Sequence, residues 1–512
     1  MNKKIIVISF VISLGGFLFG FDAGIISGVM FFVGPEFNLS EIQSGWVVSS
    51  PSFAAMVAMF FSGRLSDKYG RKKVLLIVAF LYAMSSILSA LASSYESLYL
   101  ARIVGGLAFG AALVIAPIYI AEISSAKNRG KLVSLQQLNI VFGFFAAFLS
   151  NYLFNKYNSL EVTFLIDTTV WRYMLGVELF PALLYFLLLF FIPESPRWLF
   201  AKKNFLKAKK VFIQIYGEVQ GNKEIEVLEK NTNYKKNKVK VSFKDLLKPS
   251  LRFVFLVGIV IGILQQITGI NAVYFYATSI FKQTGISTDA AFSSGVLLST
   301  TSVAFTFVAI YLIDKIGRRP LLLIGSAGIT ISLFLCSYGF GQATYNLTSE
   351  QISQLEFSNS EKLSSLANKT FKNDFDFKKE VKSKIGLKTF NKNEAMILES
   401  ATSVNAPLIL GGILGFIACF AFSLGPVMWV LLSELYPNKY RGLAIGVIGF
   451  VNSFVSWLIQ QIFPWELSNL GNAFTFFLFG AIAFVGFFIM LKILPETKGK
   501  SLEELETELV KE

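Results

Sequence analysis

The sequence predicts an all-α polytopic membrane protein of about twelve transmembrane helices in two six-helix halves. Three observations carry this: apolar windows of bilayer length, basic loops that alternate along the chain, and loop motifs that occur twice in the same order. Of 512 residues, 54% are hydrophobic and only 16% charged, and mean hydropathy is +0.59. That composition lies far outside soluble-domain usage. Crossing ~30 Å of hydrocarbon takes about 20 apolar residues, because a spanning helix must satisfy its backbone N–H and C=O groups internally. Such windows lie near residues 5 to 33, 44 to 63, 74 to 92, 98 to 120, 132 to 154, 172 to 192, 253 to 280, 290 to 313, 320 to 341, 405 to 432, 442 to 464 and 472 to 494.

The first window follows Lys3 and Lys4, is too long for a signal peptide and lacks a small-residue cleavage site, so it reads as an uncleaved first span. The net charge of +14 is a topological signal rather than a nucleic-acid one. Arg64, Lys68, Arg71, Lys72 and Lys73 crowd one loop, Lys127, Arg129 and Lys131 the next of the same side, then 197 to 252, then Lys315, Arg318 and Arg319. The excess of Lys and Arg marks the cytoplasmic side, which places both termini in the cytoplasm and the protein in the cell membrane. Cys336 and Cys419 fall in or beside predicted spans, with neither a disulfide framework nor metal-ligand spacing, and there is no histidine. No nucleophile with a base, metal cluster or phosphate loop is present, so neither an enzyme, a metal nor a cofactor is implied.

The repeat is visible in the loops. Asp67-Lys-Tyr-Gly-Arg-Lys-Lys73 is echoed by Asp314-Lys-Ile-Gly-Arg-Arg-Pro320, the stretch Ala121 to Gly130 by Ser433 to Gly442, and Pro193-Glu-Ser by Pro495-Glu-Thr. The offset is 314 − 67 = 247 for the first echo and 434 − 122 = 312 for the second, an excess of about 65 residues that 341 to 404 accounts for. The expected organisation is therefore an N-terminal half (1–192), a cytoplasmic linker, helical in pattern (193–252), a C-terminal half (253–494) holding an extracytoplasmic insertion (341–404), and a cytoplasmic tail (495–512). The insertion reads as an external cap or lid, or else as a decoration without a role in transport.

Two constellations stand in apolar surroundings and need a reason. Gln265, Gln266 and Asn271 interrupt the run from Phe253 to Ile280, where an unpaired amide costs several kcal/mol, so they meet protein, water or ligand. A helix loosened at Gly269 would aim all three inward, toward a polyhydroxylated solute or toward other helices as interhelical glue. Asp22 sits mid-span, where a lone carboxylate costs ~3 kcal/mol or more, with Arg102 of the fourth span as its expected partner. The pair is either a permanent structural ion pair or a proton switch. Separation from Arg102 would favour the protonated acid, and restored contact would expel the proton.

Six segments together resemble the sugar porters of the major facilitator superfamily: Gly63 to Lys72, Pro193-Glu-Ser-Pro-Arg-Trp-Leu199, Gln265-Gln-Ile-Thr-Gly-Ile-Asn271, Asp314 to Arg319, Gly425-Pro-Val-Met-Trp429 and Pro495-Glu-Thr-Lys-Gly499. The resemblance covers nearly all of the chain except 341 to 404. It implies a major facilitator fold whose halves rock about a midplane site. In that site Gln137, Gln265, Gln266, Asn271, Trp429 and Asn452 match positions that bind sugar hydroxyls or stack on the ring, a role for which the flat indole of Trp429 is suited. Asp22 and Arg102 match the proton-coupling pair. Asp67, Arg71, Glu122, Arg129, Glu194, Arg197, Asp314, Arg318, Arg319, Glu434 and Arg441 match charges that latch the inner gate when the outer one is open, against the alternative of a solvated positive face. Phe275, Ser302 and Ser453 depart from the family pattern, where Tyr, Asn and Trp are common, so the identity of the sugar does not carry over.

The expected function is secondary active transport of a monosaccharide, hexose or pentose, by proton symport, with sugar, proton and lipid bilayer as partners and a monomer as the working unit. A facilitative uniporter is the alternative. A sugar sensor on the same scaffold would call for a long signalling tail, which is not found after Glu512.

Overall fold

A computed structural model describes residues 3–124, 129–159, 170–223, 225–226, 242–355, 357, 359–437, 439–500 and 504–505, with the side chains of Arg129 and Ser159 outside the described residues. Among these, twelve helices are long and apolar enough to cross a bilayer: Lys3–Glu36, Glu41–Tyr69, Arg71–Ala90, Tyr95–Ile123, Gly130–Asn158, Val170–Phe191, Pro249–Phe275, Thr288–Ile316, Arg318–Gly341, Ala406–Leu435, Arg441–Leu470 and Asn472–Ile493. They are called the first to twelfth spans here. Their outer surface carries large exposed apolar side chains such as Phe60, Phe180, Leu187 and Phe191, a liability in water and the expected finish against lipid.

The ends follow from capping chemistry. Ser40 and Ser94 open the second and fourth spans with capping boxes, and Ser287 accepts the Ala290 N–H at the start of the eighth. The sixth span, legible in sequence as one run, is two helices that meet at Val177 and Glu178. Pro181 has no N–H to give the Val177 carbonyl, which takes the Phe180 N–H instead at 3.2 Å.

The internal repeat is present in three dimensions. The first span packs on the fifth and the seventh on the eleventh; the second on the fourth and the eighth on the tenth; the third on the sixth and the ninth on the twelfth. Between halves, the second span packs on the eleventh and the fifth on the eighth. With an even number of spans, the linker and both described ends share one face, the terminal face. Short helices Pro196–Ala201 and Phe205–Tyr216 lie there, and Tyr216 anchors them by donating to the Ile123 carbonyl at 2.7 Å.

The segment after the ninth span folds on the far face. Strand β1 (Thr344–Tyr345) pairs antiparallel with β2 (Thr402–Ser403), closing a loop that holds a 3-10 helix, Ser360–Leu366, and helices Asp374–Ile385 and Leu387–Ala401. Its own core buries Tyr345, Leu363, Phe377, Val381, Phe390 and Ile397. It is seated on the C-terminal half through Lys282 to Glu399 at 2.7 Å, Lys378 to Gln283 at 2.6 Å and Asn472 to Asp374 at 3.0 Å. It also packs against the first span.

Candidate functional site

The seventh span is broken. Helix Pro249–Ile267 stops, Gly269 takes φ +86°, and the chain resumes as Ile270–Phe275 and Ala277–Lys282. A Cβ at Gly269 would stand 2.7 Å from the Phe479 ring, so both the left-handed backbone and the close approach demand glycine. The break turns the amides on either side toward each other. Gln266 donates to Gln265 and to Asn452 at 3.3 Å each, Asn271 donates to Gln266 at 2.9 Å and to Ser456 at 2.7 Å, and Asn452 donates to Gln265 at 2.8 Å. Gln265 also donates to the Leu424 carbonyl at 2.9 Å, at the start of the helix that presents Trp429, 40% exposed.

Four of the six sugar-site candidates, Gln265, Gln266, Asn271 and Asn452, are thus one hydrogen-bonded cluster, and Trp429 is tied to it through its helix. Gln137 joins none of the described hydrogen bonds. It lies seven residues, two turns, before Phe144 on the same face of the fifth span, and the Phe144 ring packs on Tyr274 at 4.6 Å. The departures from the family pattern find partners: Ser302 binds the Tyr274 hydroxyl at 2.7 Å, Phe275 stacks with Phe144, and Ser453 meets the Met59 sulfur.

Away from the amides, Arg102 donates from Nη1 to Asp22 at 3.2 Å and from Nε to the Val47 carbonyl at 3.0 Å. Both side chains are almost fully buried. A third charged residue, missed in the sequence, is Glu178, also buried and within electrostatic reach of both. The signal that singles out Asp22, a carboxylate inside an apolar window, applies equally to it. Asp22 is the acid that contacts Arg102; Glu178 makes no described ion pair with either.

The gate candidates form two matching clasps on the terminal face. In the first half Arg71 grips Glu122 in a fork, 3.1 and 2.9 Å, and reaches Asp67 at 2.8 Å, while Glu194 accepts the Arg71, Lys72 and Ser195 backbone N–H groups. In the second, Arg318 grips Glu434 at 3.1 and 2.8 Å and reaches Asp314 at 3.1 Å, while Glu496 accepts from the Arg318, Arg319 and Thr497 N–H groups. Each carboxylate caps the positive end of a span. Glu496 is the counterpart of Glu194, carried by the Pro495-Glu-Thr echo but absent from the gate set expected from sequence. Every described ion pair of these clasps runs within one half. Arg441 donates to the Tyr436 carbonyl and Arg319 to that of Leu491. The Nε of Arg197 is buried without a hydrogen bond, and the side chain of Arg129 lies outside the described residues.

Gly70 and Gly317 turn the chain into the clasps at φ +105° and +108°, each with a carboxylate where a Cβ would be, 2.3 Å for Glu194 and 2.7 Å for Glu496. Gly70→Ala is therefore expected to lower the yield of folded, membrane-inserted protein, by strain on the order of 1–3 kcal/mol plus a disrupted cap. Thermal denaturation in detergent checks this, and a midpoint equal to wild type would show that the clasp adapts.

The halves meet by polar bonds toward the far face. Ser27 pairs with Thr278 at 3.0 Å, Ser49 donates to Gln461 at 2.8 Å, Ser52 to Gln460 at 3.0 Å, and Asn155 to Asp289 at 2.6 Å. At about 0.6 kcal/mol each in a membrane, four such bonds bias the far side toward closure by roughly 2–3 kcal/mol.

A family model described as "Sugar (and other) transporter" matches residues 8–356 and 388–509. The chain belongs to the sugar transporter family. Among its curated relatives, the arabinose-proton symporter of Bacillus subtilis (strain 168) is 33% identical over 98% of this chain and 94% of its own. The D-xylose-proton symporter of Escherichia coli (strain K12) is 31% identical over 99% and 96%. The inward-open conformation of the E. coli xylose transporter superposes with a TM-score of 0.74 at 27% identity, covering 99% of this chain and all of that one. The same transporter bound to 6-bromo-6-deoxy-D-glucose gives 0.70 at 29% identity, over 99% of this chain and all of that one. This sugar transporter family member is a multi-pass membrane protein with the major facilitator fold, and it is not an enzyme.

Proposed function

We propose that the protein carries a monosaccharide, a hexose or pentose, into the cell together with a proton, by alternating access. The observation that carries this is the buried Asp22–Arg102 pair, separate from the amide cluster of the seventh and eleventh spans. Relatives that are arabinose-proton and D-xylose-proton symporters support it. Gln137, Gln265, Gln266, Asn271, Trp429 and Asn452 bind the sugar; Asp22 and Arg102 exchange the proton. The terminal face is cytoplasmic and the far face external, in the cell membrane, with the monomer as the transport unit. The clasps keep each half rigid, and their exposed carboxylates, Asp67 and Asp314, with the partly buried gate arginines, latch across the inner face when the outer seam opens.

The test is uptake of labelled D-glucose, D-xylose and L-arabinose into proteoliposomes, with and without an inward proton gradient. Accumulation above the external concentration only with the gradient is expected. Equilibration without accumulation under either condition would make the protein a uniporter, and no uptake of any of the three would overturn the sugar assignment. Gln266→Ala and Asn271→Ala are each expected to weaken sugar affinity about tenfold or more in folded protein. A lost neutral hydrogen bond costs about 0.5–1.5 kcal/mol, and a stranded partner adds to it. Wild-type affinity in both purified variants would remove these amides from the site.

A further inference from the structure

We propose that Gln460 is a positioning residue that couples sugar binding to closure of the outer seam. This rests on the assignment of Asn271 and its neighbouring amides to the sugar. Gln460 is fully buried on the eleventh span and uses its amide in two directions. Its Nε2 donates to Ser456 Oγ at 2.8 Å, and its Oε1 accepts from Ser52, on the second span of the other half, at 3.0 Å. Ser456 Oγ also accepts the Asn271 N–H at 2.7 Å. An unbroken line of side chains, Asn271 to Ser456 to Gln460 to Ser52, therefore runs from a sugar-binding amide across the boundary between halves. Tyr276, at the second break of the seventh span, donates to the Gln460 carbonyl at 3.2 Å and fixes the same turn.

The next residue supplies the contrast. Gln461 accepts from Ser49 at 2.8 Å, so it too joins the second and eleventh spans, but its Nε2 goes to the Ile42 carbonyl at 3.0 Å and leads away from the amides. Three cross-half bonds thus lie side by side at these two residues, and of them only the Ser52–Gln460 bond is wired to the sugar site. A buried amide bonded at both ends is held in one orientation, and releasing one end frees the other. When the seam parts, Gln460 loses Ser52, Ser456 loses its fixed donor, and Asn271 loses the acceptor that aims its N–H. Coupling of this kind is reciprocal: the factor by which the Ser52–Gln460 bond raises sugar affinity is the factor by which bound sugar strengthens that bond.

The experiment measures equilibrium binding of labelled D-glucose, D-xylose and L-arabinose to purified wild type and to Ser52→Ala, Gln460→Met, the double variant and Ser49→Ala. For the sugar bound best by wild type, Kd is expected to rise at least threefold in Ser52→Ala and in Gln460→Met. The double variant is expected to be no weaker than the weaker single one, and Ser49→Ala to stay within twofold of wild type. Ser52→Ala removes one hydroxyl remote from the sugar, so it decides the matter even if Gln460→Met does not fold. Wild-type affinity in Ser52→Ala, or equal losses in Ser49→Ala and Ser52→Ala, would overturn the coupling while leaving the sugar site intact. Failure of wild type to bind any of the three sugars would instead overturn the site assignment, and the coupling with it.

Discussion

Asp22→Asn abolishes proton-driven accumulation of sugar, while exchange of labelled for unlabelled sugar across an ungraded membrane survives in part. The amide keeps the size of the acid and one acceptor for Arg102, now 3.2 Å away, but it can neither take up nor release a proton. The carrier then runs with its switch fixed near the neutral setting, so loading and reorientation continue and the thermodynamic link to the gradient is cut. Proteoliposomes with an imposed gradient measure the loss, which is expected to be complete for accumulation and no more than about tenfold for exchange, roughly 1.4 kcal/mol. Accumulation at the wild-type level in Asp22→Asn would move the proton to another group, and Glu178 is the residue placed to take it. Arg102→Ala is the harsher change, since it strands buried carboxylates.

Deleting residues 345 to 400 and bridging the gap with a short Gly/Ser linker leaves transport measurable, with stability restored only if Lys282 is changed with it. The insertion interrupts a repeat that is otherwise complete, and loop closure depends weakly on length. However, Lys282 is 4% exposed and its ammonium reaches Glu399 of the insertion at 2.7 Å. Removing one partner of a buried pair costs about 3–5 kcal/mol; the half-exposed Glu399 puts this case at the low end. The bare deletion is expected to lower the thermal midpoint by several degrees, and deletion combined with Lys282→Met to restore it with uptake retained. A stable, membrane-inserted double change that transports nothing would make the insertion part of the transport cycle.

Much of this is legible in the sequence. Gln265, Gln266 and Asn271 stood out because an amide in hydrocarbon demands a partner, and Gly269 because only glycine tolerates the backbone that re-aims them. Asp22 and Arg102 stood out by the same cost of burial. Glu178 escaped although the rule that found Asp22 covers it. Ser456 and Gln460 escaped for a better reason: serine and glutamine in a helix have ordinary local hydrogen bonds to make, and no periodicity reveals which of them reach another helix. The fold of the insertion is not legible because its core joins Tyr345, Leu363, Phe377 and Phe390 from separate elements, and no period within one element says which of the others it meets. The repeated motifs point to Arg71, Glu122, Arg318 and Glu434 in the clasps, but sequence cannot say whether a charge pairs within its half or across to the other.

Those clasps also bear on ancestry. Each half holds an arginine forked onto a glutamate, a second glutamate over a span's first amides, and a hydroxyl, Ser195 or Thr497, closing the ring onto Glu122 or Glu434. Each ring closes within its own half, so each half braces its terminal face unaided, as a duplicated six-helix unit would. The chain should tolerate being born in two pieces, divided between residues 226 and 242 and reunited in the bilayer.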